Sequence, residues 1–397
     1  MSEVSTLPAI SDPALLPVRD KVLAGESLSL DDGVALYRSR DIHGVGRLAN
    51  FVRERLHGDK TYYNRNRHIN YTNVCALSCK FCSFYRKRGE EGAYEMPVDQ
   101  VIATARKAAD AGATEVHVVG GLHPWLKFDY YLDMLRGIRR ECPRLHVKAF
   151  TAIEIVHFTR VARMSIREVL VALRDAGLGS LPGGGAEIFD DRVHDEVFKG
   201  KVGASKWFEV HRTAHELGIY SNATMLYGHV ETIEERVGHL IKLRELQSQS
   251  LSCEAAHFNC IIPLSFIPEN SELGGLSGPT GLTDLKTLAI ARLMLDNFAH
   301  VKAFWIMQGV GLSQVALDWG CDDLDGTVVW YDITKRGEGS HGHAQHQELH
   351  VSDIRRLIRE AGRVPVERDT LYRPIERPPA DASVTSGHTS RLAAGIA

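Results

Sequence analysis

An alternation of apolar strands and amphipathic helices, which starts near residue 68, constrains the fold of this chain more than any other feature. Short runs rich in β-branched and aromatic residues alternate with segments that carry apolar residues at helical spacing, a pattern typical of βα units. Eight such units predict an α/β fold, a (β/α)8 TIM-type barrel, whose functional residues gather at the carboxyl ends of the strands. The predicted strands span residues 68–73, 114–120, 145–151, 178–182, 220–227, 257–266, 300–306 and 323–329.

The helices between these strands have recognisable ends. One helix is predicted from Pro97, which suits a first helical position, to Gly112, which suits the position just past a helix end. Upstream, the segment 29–32 has the form of a capping box. We therefore expect an N-terminal tail and helical extension over residues 1–60, the barrel over 61–375, and a disordered C-terminal tail without periodicity over 376–397.

The unusual residues of the sequence fall directly after the predicted strands, where a barrel places its active site. Cysteines follow the first strand, and glycine, polar or aromatic residues follow the next six. This agreement supports the barrel more than any single strand does. The segments are 75–82, 120–124, 151–154, 182–187, 227–229, 268–270 and 307–309.

Charge and hydropathy exclude several classes of partner. The formal net charge of −3 gives no reason to expect binding to nucleic acid or to an anionic membrane surface. The sequence has no long apolar run and no signal-peptide pattern at its N-terminus, so we expect a soluble, cytoplasmic protein. Four isolated cysteines are expected to be small buried apolar residues, namely Cys142, Cys253, Cys260 and Cys321.

Three further cysteines, Cys75, Cys79 and Cys82, offer three thiolates within one short loop and no fourth cysteine nearby. A structural zinc site is normally closed by four ligands, and ferredoxin motifs also supply four cysteines. A 4Fe-4S cluster held by three cysteines leaves one iron open, and the amino and carboxylate groups of S-adenosylmethionine (SAM) can chelate that iron. A non-catalytic module with a partial zinc site remains the alternative.

The spacing Cys75-x3-Cys79-x2-Cys82, with the aromatic Phe81 before the last cysteine, resembles the signature of the radical SAM superfamily. The resemblance implies two cofactors, a 4Fe-4S cluster and SAM, with Phe81 beside the adenine. An electron passed through the cluster would then break the sulfonium S–C5′ bond and produce a 5′-deoxyadenosyl radical.

Other strand-end residues resemble the elements by which this superfamily binds SAM. Gly120 and Gly121 resemble a glycine pair whose backbone bonds the methionine amino group. Glu187, which follows three glycines, resembles an acidic residue at the ribose hydroxyls or the amino group. Thr151 and Glu154 are further candidates, although polar residues at a strand end also satisfy backbone groups.

The resemblance extends over residues 60 to 372. Segment 68–74 is similar to one shared by aminodeoxyfutalosine synthases, the cyclase of the futalosine route to menaquinone, and deazaflavin cofactor synthases. The segments that most resemble the aminodeoxyfutalosine synthases are 148–152, 221–229, 302–307 and 322–328.

This resemblance implies a joining reaction in menaquinone biosynthesis. The adenosyl radical of SAM adds to 3-[(1-carboxyvinyl)oxy]benzoate, a carboxyl group is lost, and 6-amino-6-deoxyfutalosine forms. An electron donor such as flavodoxin or ferredoxin is implied as well. The cyclase, which abstracts a hydrogen atom, and the deazaflavin synthases remain alternatives.

The implied substrate carries two carboxylates and an aromatic ring, so it requires cationic or hydroxyl donors beside apolar walls. His68, Tyr227 and His229 are candidate catalytic residues, and for each lone histidine a structural role is an equal alternative. The candidate substrate-binding residues are His123, Asn222 and Gln308.

Some residues remain without an assigned chemical role. Phe304 and Trp305 are expected to pack in the barrel, with one of them facing the substrate ring. Arg368 resembles part of the family's C-terminal motif, and a surface ion pair is the alternative interpretation. The sequence departs from the resembling proteins at 248–260, where it is longer. Because this segment precedes the sixth strand, it is a candidate to reshape the pocket mouth.

Overall fold

The computed structural model describes residues 8–198, 200–328 and 347–377, and a curved parallel sheet forms the centre of the chain. The strands are β1 (Lys60–Asn64), β2 (Asn66–Asn70), β3 (Glu115–Val119), β4 (His146–Ala149), β5 (Ser180–Leu181), β6 (Tyr220–Tyr227), β7 (Phe258–Ser265), β8 (His300–Val301), β9 (Asp323–Gly326) and β10 (Val364–Glu367). One sheet has the order β2-β3-β4-β5-β6-β7-β8, and a smaller sheet has the order β10-β1-β9. All neighbouring pairs in both sheets are parallel.

Helices connect successive strands and cover the outer face of the sheet with their apolar sides. In the helix Ile166–Ala176, for example, Ser165 and Glu168 form a capping box, and the residues at helical spacing are buried. The helices are α1 (Leu16–Ala24), α2 (Leu30–Arg38), α3 (Ile42–His57), α4 (Val98–Asp110), α5 (Phe128–Glu141), α6 (Ala152–Ala162), α7 (Ile166–Ala176), α8 (Asp191–Val197), α9 (Ala204–Glu216), α10 (Ile233–Ser252), α11 (Gly281–Met294), α12 (Trp305–Gln308), α13 (Val310–Ala316) and α14 (Val351–Glu360).

A segment that we call the closing segment, residues 322–328, joins the two ends of the curved sheet. On one side, Asp322 N donates to Val301 O at 3.1 Å and Ala303 N donates to Asp323 O at 2.8 Å. On the other side, β9 pairs with β1, which runs almost directly into β2. Strand segments therefore surround one interior, and the predicted (β/α)8 TIM-type architecture is confirmed.

The predicted strands occur close to their expected positions, with one clear difference at the seventh. The prediction placed a strand over 300–306, whereas the strand covers only His300–Val301 and is followed by α12. Gln308 N donates to Phe304 O at 3.2 Å, which closes a helical turn. A short apolar run fits a strand and a buried helix equally well, and here the helical hydrogen bonds form.

The N-terminal helices pack on the outside of the barrel, where α2 and α3 contact α10 and α11. The predicted capping box is confirmed, because Ser29 and Asp32 exchange hydrogen bonds between side chain and backbone. The domain boundaries at 60 and 375 stay predictions, and the expected C-terminal tail from 378 onward lies outside the described residues. No helix in the described ranges is long and apolar enough to cross a bilayer.

The longer segment at 248–260 lies at the end of the barrel opposite to the one we expected. It contains the last turn of α10 and the loop that leads into the start of β7, and the amino ends of parallel strands face away from the active-site end. The segment therefore cannot form the pocket mouth. Its Cys253 is exposed, so that prediction of burial is wrong, whereas Cys142, Cys260 and Cys321 are buried as predicted.

A buried ionic network anchors the closing segment where it begins. The guanidinium of Arg292 pairs with the carboxylate of Asp322, which also accepts from Val301 N at 2.8 Å and contacts His300 Nδ1 at 2.5 Å. His57 Nε2 lies 3.5 Å from the same carboxylate. Two histidines and an aspartate thus converge, but the Arg292 charge already neutralises the carboxylate, which makes this a structural network.

Replacing Arg292 tests how strongly this network stabilises the fold. We expect Arg292→Met to lower the free energy of unfolding by about 3–5 kcal/mol, because a buried carboxylate loses its main partner. Arg356→Met is the control, since Arg356 forms an exposed pair with Glu360, and its loss should cost less than about 1 kcal/mol. Urea denaturation measures both, and equal losses would contradict the structural role of Asp322.

Candidate active site

A cavity of about 280 Å³ lies at the carboxyl ends of the barrel strands. Its rim consists of residues in the loops that follow the strands, and its floor consists of side chains on or beside the strands themselves. The rim residues used below are Cys75, Cys79, Phe81, Cys82, Gly120, Gly121, Glu187 and Lys201. The floor residues used below are His68, His117, Lys148, Thr224, Lys302 and Asp325.

The cysteine loop after β2 is held in place by hydrogen bonds of the protein itself. Leu77 N and Leu122 N each donate to Cys75 Sγ at 3.4 Å. Lys87 Nζ donates to the carbonyl oxygens of Cys75, Ala76 and Leu77 at 3.1, 3.4 and 2.9 Å. The backbone of the loop is therefore fixed from outside the cavity, while its thiols line the cavity.

Burial determines the protonation of these thiols. It raises the pKa of Cys79 to about 11, although the nearby Lys201 charge acts in the opposite direction. Burial also raises the pKa of Cys82. The free thiols of Cys79 and Cys82 are therefore protonated at neutral pH, and a metal that binds them as thiolates releases protons.

Glu154 links the loops that follow β2, β3 and β4. Its carboxylate accepts from Tyr71 Oη at 2.7 Å, from Gly120 N at 3.1 Å and from Thr151 N at 2.7 Å. Burial raises the pKa of Glu154 to about 7, although these donors favour the charged form. A Cβ at Gly120 would lie 2.7 Å from the Tyr71 ring, so only glycine allows this close approach.

A second buried carboxylate, Glu187, forms an ion pair with Lys201 at the rim. Glu187 has a φ of 43°, a left-handed conformation that is uncommon for a residue other than glycine. Burial disfavours the charge of Lys201, but Glu187 outweighs this effect and raises the pKa of the lysine. The Lys201 ammonium lies 5.2 Å from the centre of the Phe81 ring, and no pattern in the sequence indicated this contact.

The floor carries charged side chains that sequence reasoning missed. Lys148 Nζ lies 2.6 Å from Glu115 Oε1, and Lys302 Nζ donates to Asp325 Oδ1 at 2.6 Å. His68 lies among them, and burial lowers its pKa to about 4, so its imidazole is neutral at neutral pH. The sequence did contain one signal for these side chains, which is a charged residue at an inward-facing position of an otherwise apolar strand.

The cavity brings together most of the residues that the sequence singled out, and their individual roles stay predictions. Lining residues among the predicted set are His68, Cys75, Cys79, Phe81, Cys82, Gly120, Gly121, Thr151, Glu187 and Asn222. The remaining predicted residues do not belong to the described lining of this cavity, and they are His123, Glu154, Tyr227, His229 and Gln308.

Two of the candidate catalytic residues lie behind the barrel wall. Leu226 lines the cavity, so the next residue of the strand, Tyr227, faces outward, and its hydroxyl donates to Asp284 on α11 at 2.6 Å. His229 Nε2 contacts Leu226 O at 3.0 Å, and burial lowers the pKa of the imidazole. In this structure both side chains support the wall.

Two of the candidate substrate-binding residues have protein partners. His123 Nε2 lies 2.7 Å from a carboxylate oxygen of Glu95, and Gln308 Nε2 donates to Pro263 O at 3.1 Å. His123 Nδ1 also accepts from the backbone N–H of Leu126 at 3.2 Å. These contacts position the loops around the rim.

Of the three further residues considered in the sequence, one lines the cavity and two are buried elsewhere. Phe304 lines the cavity, whereas Trp305 is buried in the wall and donates from Nε1 to Gly326 O at 2.9 Å. Arg368 is buried and lies 2.6 Å from Asp323, so the interpretation as a surface ion pair is wrong. It follows β10, which packs beside β1 next to the closing segment.

Comparison with known proteins connects this geometry to a family. Residues 69–243 match the radical SAM superfamily, and residues 255–380 match the CofH/MqnC C-terminal region. An aminodeoxyfutalosine synthase from Thermus thermophilus is 48% identical over 370 residues, which cover 92% of this chain and 97% of the relative. The chain belongs to the aminodeoxyfutalosine synthase family of radical SAM proteins.

A second synthase resembles this radical SAM family member, and an archaeal relative with a different name resembles it less. An aminodeoxyfutalosine synthase from Streptomyces coelicolor is 43% identical and covers 89% of this chain and 92% of its own length. A 5-amino-6-(D-ribitylamino)uracil–L-tyrosine 4-hydroxyphenyl transferase from Archaeoglobus fulgidus is 38% identical and covers 82% of this chain and 92% of its own length.

Solved structures support the fold of this radical SAM chain. Methylornithine synthase superposes with a TM-score of 0.68 at 18% identity, covering 88% of this chain and 97% of the other. The hydrogenase maturase HydG from Carboxydothermus hydrogenoformans superposes with a TM-score of 0.67 at 17% identity, covering 91% of this chain and 80% of the other.

Radical SAM enzymes use a 4Fe-4S cluster and SAM, and the rim fits both. Cys75, Cys79 and Cys82 line one cavity, with no fourth cysteine in its described lining, so they would hold a cluster and leave one iron open. A Cβ at Gly121 would lie 2.4 Å from Val74 O, so glycine lets the loop after β3 pack on the cysteine loop. Membership in an enzyme family also contradicts the non-catalytic zinc module.

Removing one thiol tests the cluster site. We expect Cys75→Ala, Cys79→Ala and Cys82→Ala each to reduce the iron and acid-labile sulfide per chain to background after anaerobic reconstitution, because two thiolates do not hold the cluster. Cys142→Ala is the matched control, since that cysteine is buried on the outer helices. Full iron loading of Cys79→Ala would contradict the assignment.

The raised pKa of Glu154 predicts a pH dependence of stability. The folded state favours the protonated carboxyl between about pH 4.5 and 7, so the contribution of Glu154 to stability falls as pH rises through this window. Between pH 5.5 and 7.5, wild type should lose about 2 kcal/mol more unfolding free energy than Glu154→Gln, which does not titrate. Denaturant titrations at both pH values measure this difference, and parallel profiles would contradict it.

Proposed function

We propose that this protein is an aminodeoxyfutalosine synthase. It joins the 5′-deoxyadenosyl group of SAM to 3-[(1-carboxyvinyl)oxy]benzoate, with loss of a carboxyl group, to give 6-amino-6-deoxyfutalosine for menaquinone biosynthesis. The identity to two synthases over nearly the whole chain supports this reaction. The electron donor in this proposal is a flavodoxin or ferredoxin of the cytoplasm.

One structural observation carries the proposal. The three thiols open into the same cavity as an apolar wall and a floor that carries two ion-paired lysines, so in this proposal SAM and the second substrate share one space. The apolar wall consists of Ile262, Leu264 and Phe304. A joining reaction requires this arrangement, because both reactants must be held in contact while water is excluded.

Residues of the rim hold SAM in this proposal. When bound, the cluster and SAM supply the 5′-deoxyadenosyl radical by one-electron cleavage of the S–C5′ bond. Gly120 and Gly121 present backbone groups to the methionine part, Glu187 faces the ribose or the amino group, and Phe81 lies beside the adenine. Glu154 positions Gly120 through its hydrogen bond to the backbone N–H.

Residues of the wall and floor orient the second substrate. Its aromatic ring lies against Leu264 and Phe304, where burial of apolar surface stabilises it. His68 is neutral at physiological pH, so it binds through a neutral N–H or through a ring lone pair. Asn222 offers an amide at the same level of the wall.

A product assay on the reconstituted holoenzyme tests the reaction. With SAM, reductant and 3-[(1-carboxyvinyl)oxy]benzoate, we expect an adduct with the mass of 6-amino-6-deoxyfutalosine, and Cys79→Ala should form none. Dehypoxanthine futalosine is offered in parallel, as is 5-amino-6-(D-ribitylamino)uracil with tyrosine, the substrate pair in the name of the archaeal relative. Turnover of either alternative without the adduct would overturn the proposal.

A further inference from the structure

Two buried lysines reach the floor of the cavity from separate parts of the barrel wall. Lys148 belongs to β4 and is 4% exposed, and Lys302 directly follows β8 and is 2% exposed. Both lysines line the cavity together with His68. Buried lysines are rare, and their desolvation is costly unless a partner compensates it.

Each lysine is fixed by one carboxylate and retains unused donors. Lys148 Nζ is paired with Glu115, and Lys302 Nζ is paired with Asp325, both at 2.6 Å. An ammonium group has three N–H donors, and within the described chain these are the only hydrogen-bonding partners of either group. Two ammonium groups that are held in place and face a cavity with spare donors form an anion site.

The partner of Lys148 has further contacts of its own, and the charge of Lys302 is maintained by nearby carboxylates. Glu115 is also engaged by Thr370 Oγ1 at 2.7 Å and lies close to the charge of Arg368, so it does not depend on Lys148 alone. Burial disfavours the charge of Lys302, but the carboxylates of Asp325 and Asp323 outweigh this effect and raise its pKa, so the lysine stays charged.

Two neutral imidazoles complete the floor. His68 and His117 face each other with ring centres 4.3 Å apart, and burial lowers the pKa of both. Neutral imidazoles neither repel an anion nor replace the lysine charges, so the unused N–H donors of the two ion-paired lysines are the groups that would bind a carboxylate.

We propose that Lys148 and Lys302 together bind the benzoate carboxylate of the second substrate at the floor of the cavity. This inference rests on the proposed function. The reacting vinyl carbon must lie near SAM and therefore near the thiol rim, and the acrylate carboxylate is attached to the same vinyl unit. The benzoate carboxylate is attached to the aromatic ring meta to the ether oxygen that carries the vinyl unit, so the ring spaces it away from the rim and toward the floor.

The other buried lysine of the cavity has a different place. Lys201 lies at the rim, where it pairs with Glu187 and contacts the ring of Phe81. It is therefore on the SAM side of the cavity. The floor lysines lie on the other side of the cavity, where they select a second substrate that carries a carboxylate.

A binding experiment without turnover tests the floor site. Reconstituted holoenzyme with SAM and no reductant is titrated with 3-[(1-carboxyvinyl)oxy]benzoate and with its benzoate methyl ester, which lacks the charge. Wild type should bind the acid about 30- to 100-fold more tightly than the ester, because truncating a buried charged hydrogen bond is costly. Lys148→Met and Lys302→Met should bind the acid and the ester within about threefold of each other.

Matched variants separate binding from folding. Lys286→Met removes a lysine that bonds the carbonyls of Tyr37 and Ser39 outside the cavity, and it should keep the wild-type ratio of acid to ester. If a single variant fails to fold, Lys148→Met/Glu115→Gln and Lys302→Met/Asp325→Asn remove each buried pair together, which avoids an unpaired buried charge. Cleavage of SAM without the second substrate should stay at the wild-type rate in Lys286→Met.

The outcomes for the inference and for the proposed function are distinct. If wild type forms the adduct but does not discriminate the acid from the ester, or if the floor variants keep the wild-type ratio, the inference is overturned and the function stands. If wild type discriminates the acid from the ester but forms no adduct, the proposed function is overturned and the carboxylate site stands.

Discussion

The hydrogen bonds that the closing segment makes to its two neighbours are the constraint on which the site depends. They join β8 to β1 and so convert an open curved sheet into a barrel with one interior. The closing segment also brings Asp325 to the floor, where it fixes Lys302. Its far end is strained, because Val328 has a φ of 60°, which is unusual for a β-branched residue, and Val328 N donates to Asn66 Oδ1 at 2.7 Å.

The interior differs from that of a barrel packed with branched apolar side chains. Charged groups of both signs are buried below the cavity, and their pairs lie close to one another, as with Lys148 and Glu115 or Arg368 and Asp323. Such pairs seldom stabilise a fold more than apolar residues of the same size, because desolvation offsets their attraction. Their benefit is a fixed orientation of charge in a low-dielectric space, which a binding site requires.

Local features of the site were predictable from the sequence, whereas features that depend on three-dimensional context were not. The cysteine loop and the glycines at 120 and 121 are contiguous in the chain, and each was assigned to its place after a strand. Tyr227 was misplaced as a pocket residue because strand alternation was not applied: Asn222, Thr224 and Leu226 line the cavity, so Tyr227 faces α11.

The charges of the floor were missed for a different physical reason. A lysine in a short apolar strand is interpretable only when its partner is known, and Glu115 is distant in sequence from Lys148. The contact of Lys201 with the rim was likewise hidden, because it depends on how the turn before α9 folds back on the cysteine loop. The fold could be predicted without knowing such contacts, since hydrophobic periodicity and helix ends indicate where strands and helices follow one another along the chain.

The separation of rim and floor has a consequence for how such proteins diversify. The groups at the rim lie mostly on loops after β2, β3 and β5, whereas the lysines of the floor lie on or beside β4 and β8. If the floor lysines bind the second substrate as proposed, a mutation on one of these strands changes the molecule that is recognised and leaves the radical-generating part intact. One scaffold can therefore acquire new substrates by single steps, each of which retains an enzyme that still cleaves SAM.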